Sequence, residues 1–135
     1  MAKPPKPHAG GTWTDARKKS FIISALRSAS QRWPPKHHVL KAARVGRGLY
    51  KCAVCETVGP PKLSPEKGKT RKRNNAVVDH IHPVVPVDTG FTTWDRFINN
   101  LFCEAHNLQV LCYECNKKKG TEERDHRKVA KGLAY

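Results

Sequence analysis

The chain has 135 residues, of which 26 are Lys or Arg and 11 are Asp or Glu, and its formal net charge is +15 with seven neutral histidines. This length fits one small domain with an arm. The sequence contains no run of about 20 apolar residues, which a membrane-spanning helix needs. It also shows no apolar secretory signal. We therefore expect a cytoplasmic protein that is not bound to a membrane. The charge predicts a polyanionic partner, most simply nucleic acid.

The first third of the chain predicts an arm and a basic helical extension. Residues 1–12 are rich in proline and lysine, and we expect them to be disordered. Residues 13–48 should be helical, with a first helix over 15–32 that begins at the N-cap Thr14. A second helix should follow the proline pair at 34–35. The apolar side chains of the first helix recur at helical spacing and are expected to face the core: Ile22, Leu26, Ala29 and Trp33.

Five cysteines follow, and four of them form two C-x-x-C pairs. Four thiolates in two such pairs can surround one tetrahedral Zn²⁺, because a two-residue spacer lets both sulfurs of a pair reach the same ion. Two pairs of buried reduced cysteines are the alternative interpretation. A zinc site of this kind is structural, since four protein ligands leave no open position for a substrate. The pairs are Cys52 with Cys55 and Cys112 with Cys115, and the fifth cysteine, Cys103, is expected to be a small core residue.

A basic loop is predicted after the first cysteine pair. Residues 60–75 are rich in proline, glycine, lysine and arginine, a composition typical of a mobile loop. Arg71, Lys72 and Arg73 in this loop are candidates for contacts with nucleic-acid phosphates. A loop that is merely solvated is the alternative.

The segment between the two cysteine pairs carries the candidate chemistry. Its short run at 76–78, an alanine followed by two β-branched valines, predicts a strand that delivers the carboxylate of Asp79 and the imidazole of His80 to an exposed end. Alternation along the strand places His82 on the same side as His80, where it could contact a phosphate or a metal, and a structural hydrogen bond is the alternative. Residues 79–115 hold one basic and five acidic residues. This acidic stretch indicates either carboxylates that serve a metal or a local balance of surface charge.

The remaining elements complete a unit of strand, loop, strand and helix. We expect an amphipathic helix within 92–102 and a second strand over 107–112. The last helix should run through Lys119 and end at Gly120. Residues 121–135 would then be a loosely held basic C-terminal tail.

At these residues the chain resembles the HNH endonuclease family, in particular its small phage and bacterial members with a zinc-binding cysteine pair on either side of the catalytic motif. The resemblance covers residues 50–120. It implies an α+β fold with a small zinc-linked ββα-metal domain at 49–120, preceded by helices, and metal-dependent hydrolysis of DNA phosphodiester bonds. The matching residues are the two cysteine pairs, the run Val78, Asp79, His80, Ile81 and Pro83, the run from Asn107 to Cys112, and Asn116 with Lys119.

The family pattern implies a role for each matching residue. His80 would be the general base that activates water, and Asp79 a ligand of the catalytic divalent cation. Asn107 would orient the loop that holds the base. The last position of the motif is usually a histidine that completes the metal site, and Asn116 stands there in this chain, as it does in some similar family members.

The residue types suit phosphodiester hydrolysis independently of the family. Hydrolysis needs a deprotonated water, which an imidazole titrating near neutrality can produce. It also needs neutralisation of charge on the transition state, which a divalent ion supplies. Oxygen ligands from Asp79 and Asn116 favour Mg²⁺ or Mn²⁺ over Ni²⁺. The expected cofactors are one structural Zn²⁺ and one catalytic Mg²⁺ or Mn²⁺.

Basic side chains near this site are candidate DNA contacts. Lys119, one turn beyond Asn116, could face the scissile phosphate, whereas Lys117 and Lys118 indicate either backbone contacts or a solvated face. We expect weak sequence preference and strong salt dependence. One catalytic unit per chain should nick one strand, and the sequence leaves the oligomeric state and the target site open. The alternative function is a zinc-linked DNA-binding module without catalysis. It is suggested by Asn116, which stands where the family usually has a histidine that completes the metal site.

Overall fold

The protein divides into two units, Met1–Arg32 and Trp33–Tyr135, in a computed structural model that describes residues 3–133. The sequence placed this boundary after residue 48. Residues 1 and 2 of the predicted arm and residues 134 and 135 of the predicted tail lie outside the described residues. Within residues 3–133, no helix is both long and apolar enough to cross a membrane.

Helix α1, Asp15–Ser30, begins where the sequence predicts it to begin. The Thr14 side chain accepts a hydrogen bond from the Arg17 amide at 3.2 Å. This bond satisfies one of the amides that the start of a helix leaves without an intrahelical partner. Three residues of the predicted apolar stripe are half-buried, as the helical spacing requires: Ile22, Leu26 and Ala29.

Residues 8–13 form a tight turn before α1, so this part of the predicted arm is folded. The His8 amide donates to the Trp13 carbonyl oxygen at 3.1 Å, and the His8 imidazole lies 2.5 Å from the Asp15 carboxylate. The Trp13 ring meets Phe21 edge to face, with ring centroids 5.2 Å apart. Composition predicted disorder here because it does not reveal these specific pairings.

Trp33 opens the second unit and does not continue the stripe of α1. Its indole Nε1 donates to the Cys103 carbonyl oxygen at 2.6 Å. Its ring meets Phe102 edge to face, with centroids 5.5 Å apart. Cys103, predicted to be a small core residue, is half-buried and does not belong to the fully buried core.

Helix α2, Pro34–Ala43, leads into a three-stranded antiparallel sheet. This helix confirms the predicted second helix, and the proline pair occupies its first turn. Proline suits that position because it has the φ of a helix and lacks the amide hydrogen that would have no partner there. Gly48 has φ of +68° in the turn between the first two strands, a left-handed conformation that glycine adopts without a steric cost. The strands are β1, Arg44–Gly46, β2, Leu49–Lys51, and β3, Val58–Gly59.

Residues 60–75, predicted to be a mobile loop, contain a short two-stranded ribbon that closes a loop over 64–72. Strand β4, Lys62–Leu63, pairs antiparallel with β5, Arg73–Asn74. Asn75 follows directly, and its side-chain Nδ2 and its amide donate to the carbonyl oxygens of Pro60 and Pro61, each at 2.9 Å. These bonds close the base of the ribbon, and composition alone does not predict them.

A second ribbon, of β6 and β7, lies at the core of this small α+β unit. Strand β6, Val77–His80, carries Asp79 and His80 at its end, as predicted. Strand β7, Leu108–Leu111, runs antiparallel to it. In this register Asp79 lies opposite Gln109 and His80 opposite Leu108. Leu108, Val110 and Leu111 are buried, and α2 packs against β7.

Helix α3 connects the two strands of this ribbon and contributes to the same core. It spans Trp94–Leu101, within the predicted 92–102, and the Thr93 side chain caps it by accepting from the Arg96 amide at 3.2 Å. Phe97 and Leu101 are buried on its inner face. A single 3₁₀ turn, Ala105–Asn107, then leads into β7.

Helix α4, Tyr113–Leu133, continues far beyond its predicted end at Gly120. The prediction of a loosely held tail is therefore wrong for the residues up to 133. Arg127 gives the physical reason, because its guanidinium donates to the carbonyl oxygens of Val85 at 2.7 Å and Pro86 at 3.2 Å. These two bonds hold the second half of the helix against the loop that follows β6.

Asn75 also caps α4, since its Oδ1 accepts a hydrogen bond from the Tyr113 amide at 2.9 Å. Replacing Asn75 with alanine should destabilise the second unit by about 1–2 kcal/mol, the usual cost of losing a helix cap and a further side-chain hydrogen bond. Urea denaturation measures this loss. Asn99→Ala is the matched control at an exposed position of α3, with an expected change of less than about 0.5 kcal/mol, and equal effects of the two changes would contradict the role of Asn75.

Candidate functional site

The four paired cysteines form one cluster. Their sulfur atoms all lie within 4.8 Å of one another, and the Sγ atoms of Cys55 and Cys112 are 3.7 Å apart. In a tetrahedral Zn²⁺ site with Zn–S distances near 2.3 Å, neighbouring sulfurs are about 3.8 Å apart. The cluster can therefore hold a metal ion such as zinc, and the predicted pairing of Cys52 and Cys55 with Cys112 and Cys115 in one site agrees with this geometry.

Backbone hydrogen bonds bring the first cysteine pair to the second. The Cys52 amide donates to the Thr57 carbonyl oxygen at 3.0 Å, which closes the turn that holds Cys52 and Cys55. The next amide, of Ala53, donates to the Val110 carbonyl oxygen of β7 at 2.8 Å. Since Cys112 directly follows β7, this bond places the two pairs side by side.

The thiol groups of the cluster differ widely in acidity. Hydrogen bonds from the Thr57 hydroxyl and amide lower the pKa of Cys55 to about 6. Burial, together with the adjacent sulfur of Cys112, raises the pKa of Cys115 to about 12. Four thiolates this close together repel one another, so a cation is needed before all four can be ionised.

The second candidate centre lies at the end of β6, where Asp79 and His80 are both half-buried. Asp79 Oδ2 accepts hydrogen bonds from Gln109 Nε2 at 3.2 Å and from the Lys119 ammonium at 2.5 Å. Gln109 reaches this carboxylate because it lies opposite Asp79 in the β6–β7 register. Gln109 was not among the predicted site residues, and only the pairing of the two strands identifies it.

Lys119 connects α4 to the end of β6. Besides its ion pair with Asp79, the ammonium donates to the carbonyl oxygens of His80 and of Ile81, the latter at 3.2 Å, and lies 3.5 Å from the Glu123 carboxylate. The predicted contact of Lys119 with a phosphate stays a prediction, and in the structure the ammonium is engaged by groups of the protein itself. It neutralises the Asp79 carboxylate, and both side chains are largely shielded from solvent, at 23% and 20% exposed.

The His80 ring is oriented by a backbone carbonyl group. Its Nε2 lies 2.9 Å from the carbonyl oxygen of Leu101, the last residue of α3. Because a carbonyl oxygen only accepts hydrogen bonds, this contact assigns the proton to Nε2 in the neutral imidazole. The lone pair of neutral His80 is then on Nδ1.

Asn107 fixes the chain directly after His80. Its Oδ1 accepts from the His82 amide at 2.9 Å, and its backbone carbonyl oxygen accepts from the Ile81 amide at 2.8 Å. Strand β6 ends at His80, so the alternation that was expected to align His82 with His80 does not reach His82. The His82 side chain is exposed, and its backbone serves as the partner of Asn107.

Asn116 lies in the first turn of α4 and is half-buried. Its amide donates to the Cys112 carbonyl oxygen at 3.0 Å, within the helical ladder. Residues three apart share a helix face, so Asn116 is on the same side of α4 as Lys119. The structure pairs Asp79 with Lys119 and not with Asn116.

The basic ribbon of β4 and β5 is attached to the start of α4. The Arg73 guanidinium lies over the Tyr113 ring, 4.8 Å from its centroid, and Arg73 Nε donates to the Ser64 carbonyl oxygen at 2.8 Å. The Tyr113 hydroxyl donates to Glu66, a bond that lowers the pKa of Glu66 and raises that of Tyr113. Arg73 is thus engaged within the protein, whereas four other candidate DNA contacts are exposed: Arg71, Lys72, Lys117 and Lys118.

Comparisons of the chain with protein-family models, with curated proteins and with solved structures find no match. Its function is therefore inferred from the chemistry of its own residues.

Proposed function

We propose that this protein is a metal-dependent DNA endonuclease of the HNH type, with His80 as general base and the four cysteines as a structural zinc site. The observation that carries the proposal is the arrangement at the end of β6. Asp79 and His80 end a strand that pairs with β7, the Asp79 carboxylate contacts Lys119 of α4, and Asn107 fixes the segment that follows His80.

The orientation of His80 supports its role as a base. With its proton on Nε2 and directed to the Leu101 carbonyl group, the neutral imidazole has its lone pair on Nδ1, and this atom would take the proton from the attacking water. The imidazolium formed in this step keeps its bond to the carbonyl oxygen, which holds the ring in place. Asn107 would preserve this geometry by fixing Ile81 and His82.

Asp79 and Asn116 are the residues that would hold a catalytic Mg²⁺ or Mn²⁺. Both offer oxygen atoms, which fit a hard and partly hydrated ion. Such an ion would supply charge neutralisation at the phosphate and the leaving oxygen. Because Lys119 already contacts Asp79 Oδ2, a divalent ion at this carboxylate has to share it with the ammonium or displace it.

The test of the proposal is nicking of supercoiled plasmid across a series of divalent ions. We expect nicks with Mg²⁺ or Mn²⁺ and at least about tenfold slower nicking with Ni²⁺, because the asparagine at position 116 replaces a softer imidazole with an oxygen donor. Asn116→His is the matched variant, and it should raise the Ni²⁺-supported rate relative to that with Mg²⁺. Cleavage by the wild type that depends on Ni²⁺ and not on Mg²⁺ or Mn²⁺ would contradict this assignment.

A zinc-linked DNA-binding module without catalysis is the second candidate function. The ion pair between Lys119 and Asp79 favours it, since a carboxylate already neutralised by an ammonium attracts a divalent ion less strongly. A wild-type protein that binds DNA but cuts it with none of these ions would establish this second function in place of the first.

A further inference from the structure

Helix α4 presents a basic surface along one of its faces. Of the five exposed Lys and Arg side chains of this helix, all but Lys118 fall, at about 100° per residue, within an arc of roughly 60° on one face. Along the helix axis they extend over about 21 Å, at 1.5 Å per residue. We call this set the basic stripe; it consists of Lys117, Arg124, Lys128 and Lys131.

The acidic residues of α4 lie outside this arc. Glu123 lies about 110° around the helix from the centre of the stripe, where it contacts Lys119 at 3.5 Å. Glu114, Glu122 and Asp125 also fall beyond the edges of the stripe by the same helical spacing. The stripe therefore has a single sign of charge, although α4 as a whole contains both.

The stripe belongs to a helix that is held in place along its length. Lys119 binds the end of β6, and two turns later Arg127 donates to the carbonyl oxygens of Val85 and Pro86. Both residues project from faces of α4 other than that of the stripe. The orientation of the basic side chains relative to the second unit is thus set by bonds that leave them exposed.

The stripe continues the basic surface of the β4–β5 ribbon. Lys117 Nζ lies 5.8 Å from the centroid of the Tyr113 ring, and Arg73 of the ribbon stacks on the same ring at 4.8 Å. The exposed Arg71 and Lys72 are on this ribbon. The two basic elements therefore meet at Tyr113, at the start of α4.

We infer that the basic stripe binds the backbone phosphates of duplex DNA beside the site at the end of β6. The inference rests on the proposed function for its choice of DNA as the polyanion. A length of about 21 Å corresponds to roughly six base pairs at 3.4 Å per pair. Exposed lysine and arginine side chains on one helix face neutralise phosphates and give affinity without reading the bases. The stripe would thus increase DNA affinity while leaving the chemistry at His80 unchanged.

The experiment compares two triple variants of the full, zinc-loaded chain that remove the same charge. The test variant is R124Q/K128Q/K131Q, and the control variant K41Q/R47Q/R96Q changes three exposed basic residues elsewhere in the same unit. Binding to a duplex of about 30 base pairs is followed by fluorescence anisotropy at increasing salt, without a catalytic divalent ion. The test variant should lose at least about tenfold in affinity, and its slope of log K against log salt should fall by about 2–3, against less than about 1 for the control.

Several results would overturn the inference. A test variant that binds with the wild-type salt slope, or a control variant that loses as much as the test variant, shows that the stripe does not contact DNA. Preferential binding of a single-stranded RNA of equal length, lost in the test variant, assigns the stripe to a different partner. If the far-UV circular dichroism of the triple variant falls, K128Q/K131Q replaces it, with an expected slope change of about 1–2.

The outcome is separable from that of the proposed function. A wild-type protein that binds DNA through the stripe but never nicks plasmid retains this inference and loses the endonuclease assignment. A wild-type protein that nicks plasmid, with a test variant that binds as tightly as the wild type, retains the assignment and loses the inference.

Discussion

Replacing His80 with alanine should reduce the rate of plasmid nicking by about 10²–10⁴-fold, the usual contribution of a positioned general base. The reason lies in the orientation of the ring, whose Nε2 proton is directed to the Leu101 carbonyl group, so that Nδ1 is the atom that would take the proton from water. Because His80 is half-buried and is not one of the exposed basic groups, DNA affinity should stay within about threefold of the wild type. Initial rates of nicking under single-turnover conditions, with anisotropy for binding, measure both quantities.

His106→Ala is the matched control for this change. His106 lies in the 3₁₀ turn before β7 and is exposed, so its loss should leave the nicking rate within about twofold. Thermal denaturation of both variants shows whether the loss of the bond to Leu101 unfolds the protein. Wild-type rates in a folded His80→Ala variant would remove His80 from the mechanism.

Removing the metal from the four-cysteine cluster should unfold the second unit. Structural zinc sites contribute apparent binding energies of about 10–16 kcal/mol, which exceeds the net stability of many domains of this size. The cluster joins the turn after β2 to the start of α4, so without a metal these segments lose their main connection. Cys112→Ser, or chelation of the wild type, should abolish the cooperative thermal transition of the second unit.

Cys103→Ser is the control, because Cys103 is half-buried and lies outside the cluster, and it should cost no more than about 1 kcal/mol. Near-ultraviolet circular dichroism and zinc analysis check both variants. A chelated wild type that keeps its transition would show that the cluster is not required for folding.

The same cluster predicts how metal affinity changes with pH. Cys115, with a pKa of about 12 in the absence of metal, is protonated at neutral pH and must release its proton to bind zinc, so affinity rises with pH. Below about pH 6, the pKa of Cys55, protons also compete for the most acidic thiol and the affinity should fall more steeply. Zinc release to a coloured chelator between pH 5 and pH 8 measures this dependence.

Local sequence patterns predicted those parts of the fold that short-range physics determines. The N-cap at Thr14, the proline start of α2 and the β-branched run of β6 each depend on a few adjacent residues. The C-x-x-C spacing likewise predicted which four thiols lie together, because zinc chemistry restricts the choice of ligands.

The differences arose where a few long-range hydrogen bonds determine the structure. Arg127 holds α4 beyond Gly120 through two carbonyl groups of the loop after β6, and a glycine in a polar segment predicted the opposite. Tyr113 and Asn75 order the ribbon that composition assigned to a mobile loop. At the candidate active site, the types of residue were predictable, but the contact between Lys119 and Asp79 depends on how α4 packs on β6.

The separation of the two cysteine pairs has a consequence for the unfolded chain. Cys55 and Cys112 are 57 residues apart, and closing a loop of that length costs about 3.6 kcal/mol in chain entropy beyond a constant. Each pair on its own needs almost no loop closure, so a disordered chain can hold zinc with two thiolates and water. Any metal bound to the unfolded state reduces what the ion contributes to folding. The free energy that zinc contributes to folding is therefore the binding free energy of the four-thiolate complex minus that of the two-thiolate complex. It is further reduced by the entropic cost of bringing the distant pairs together.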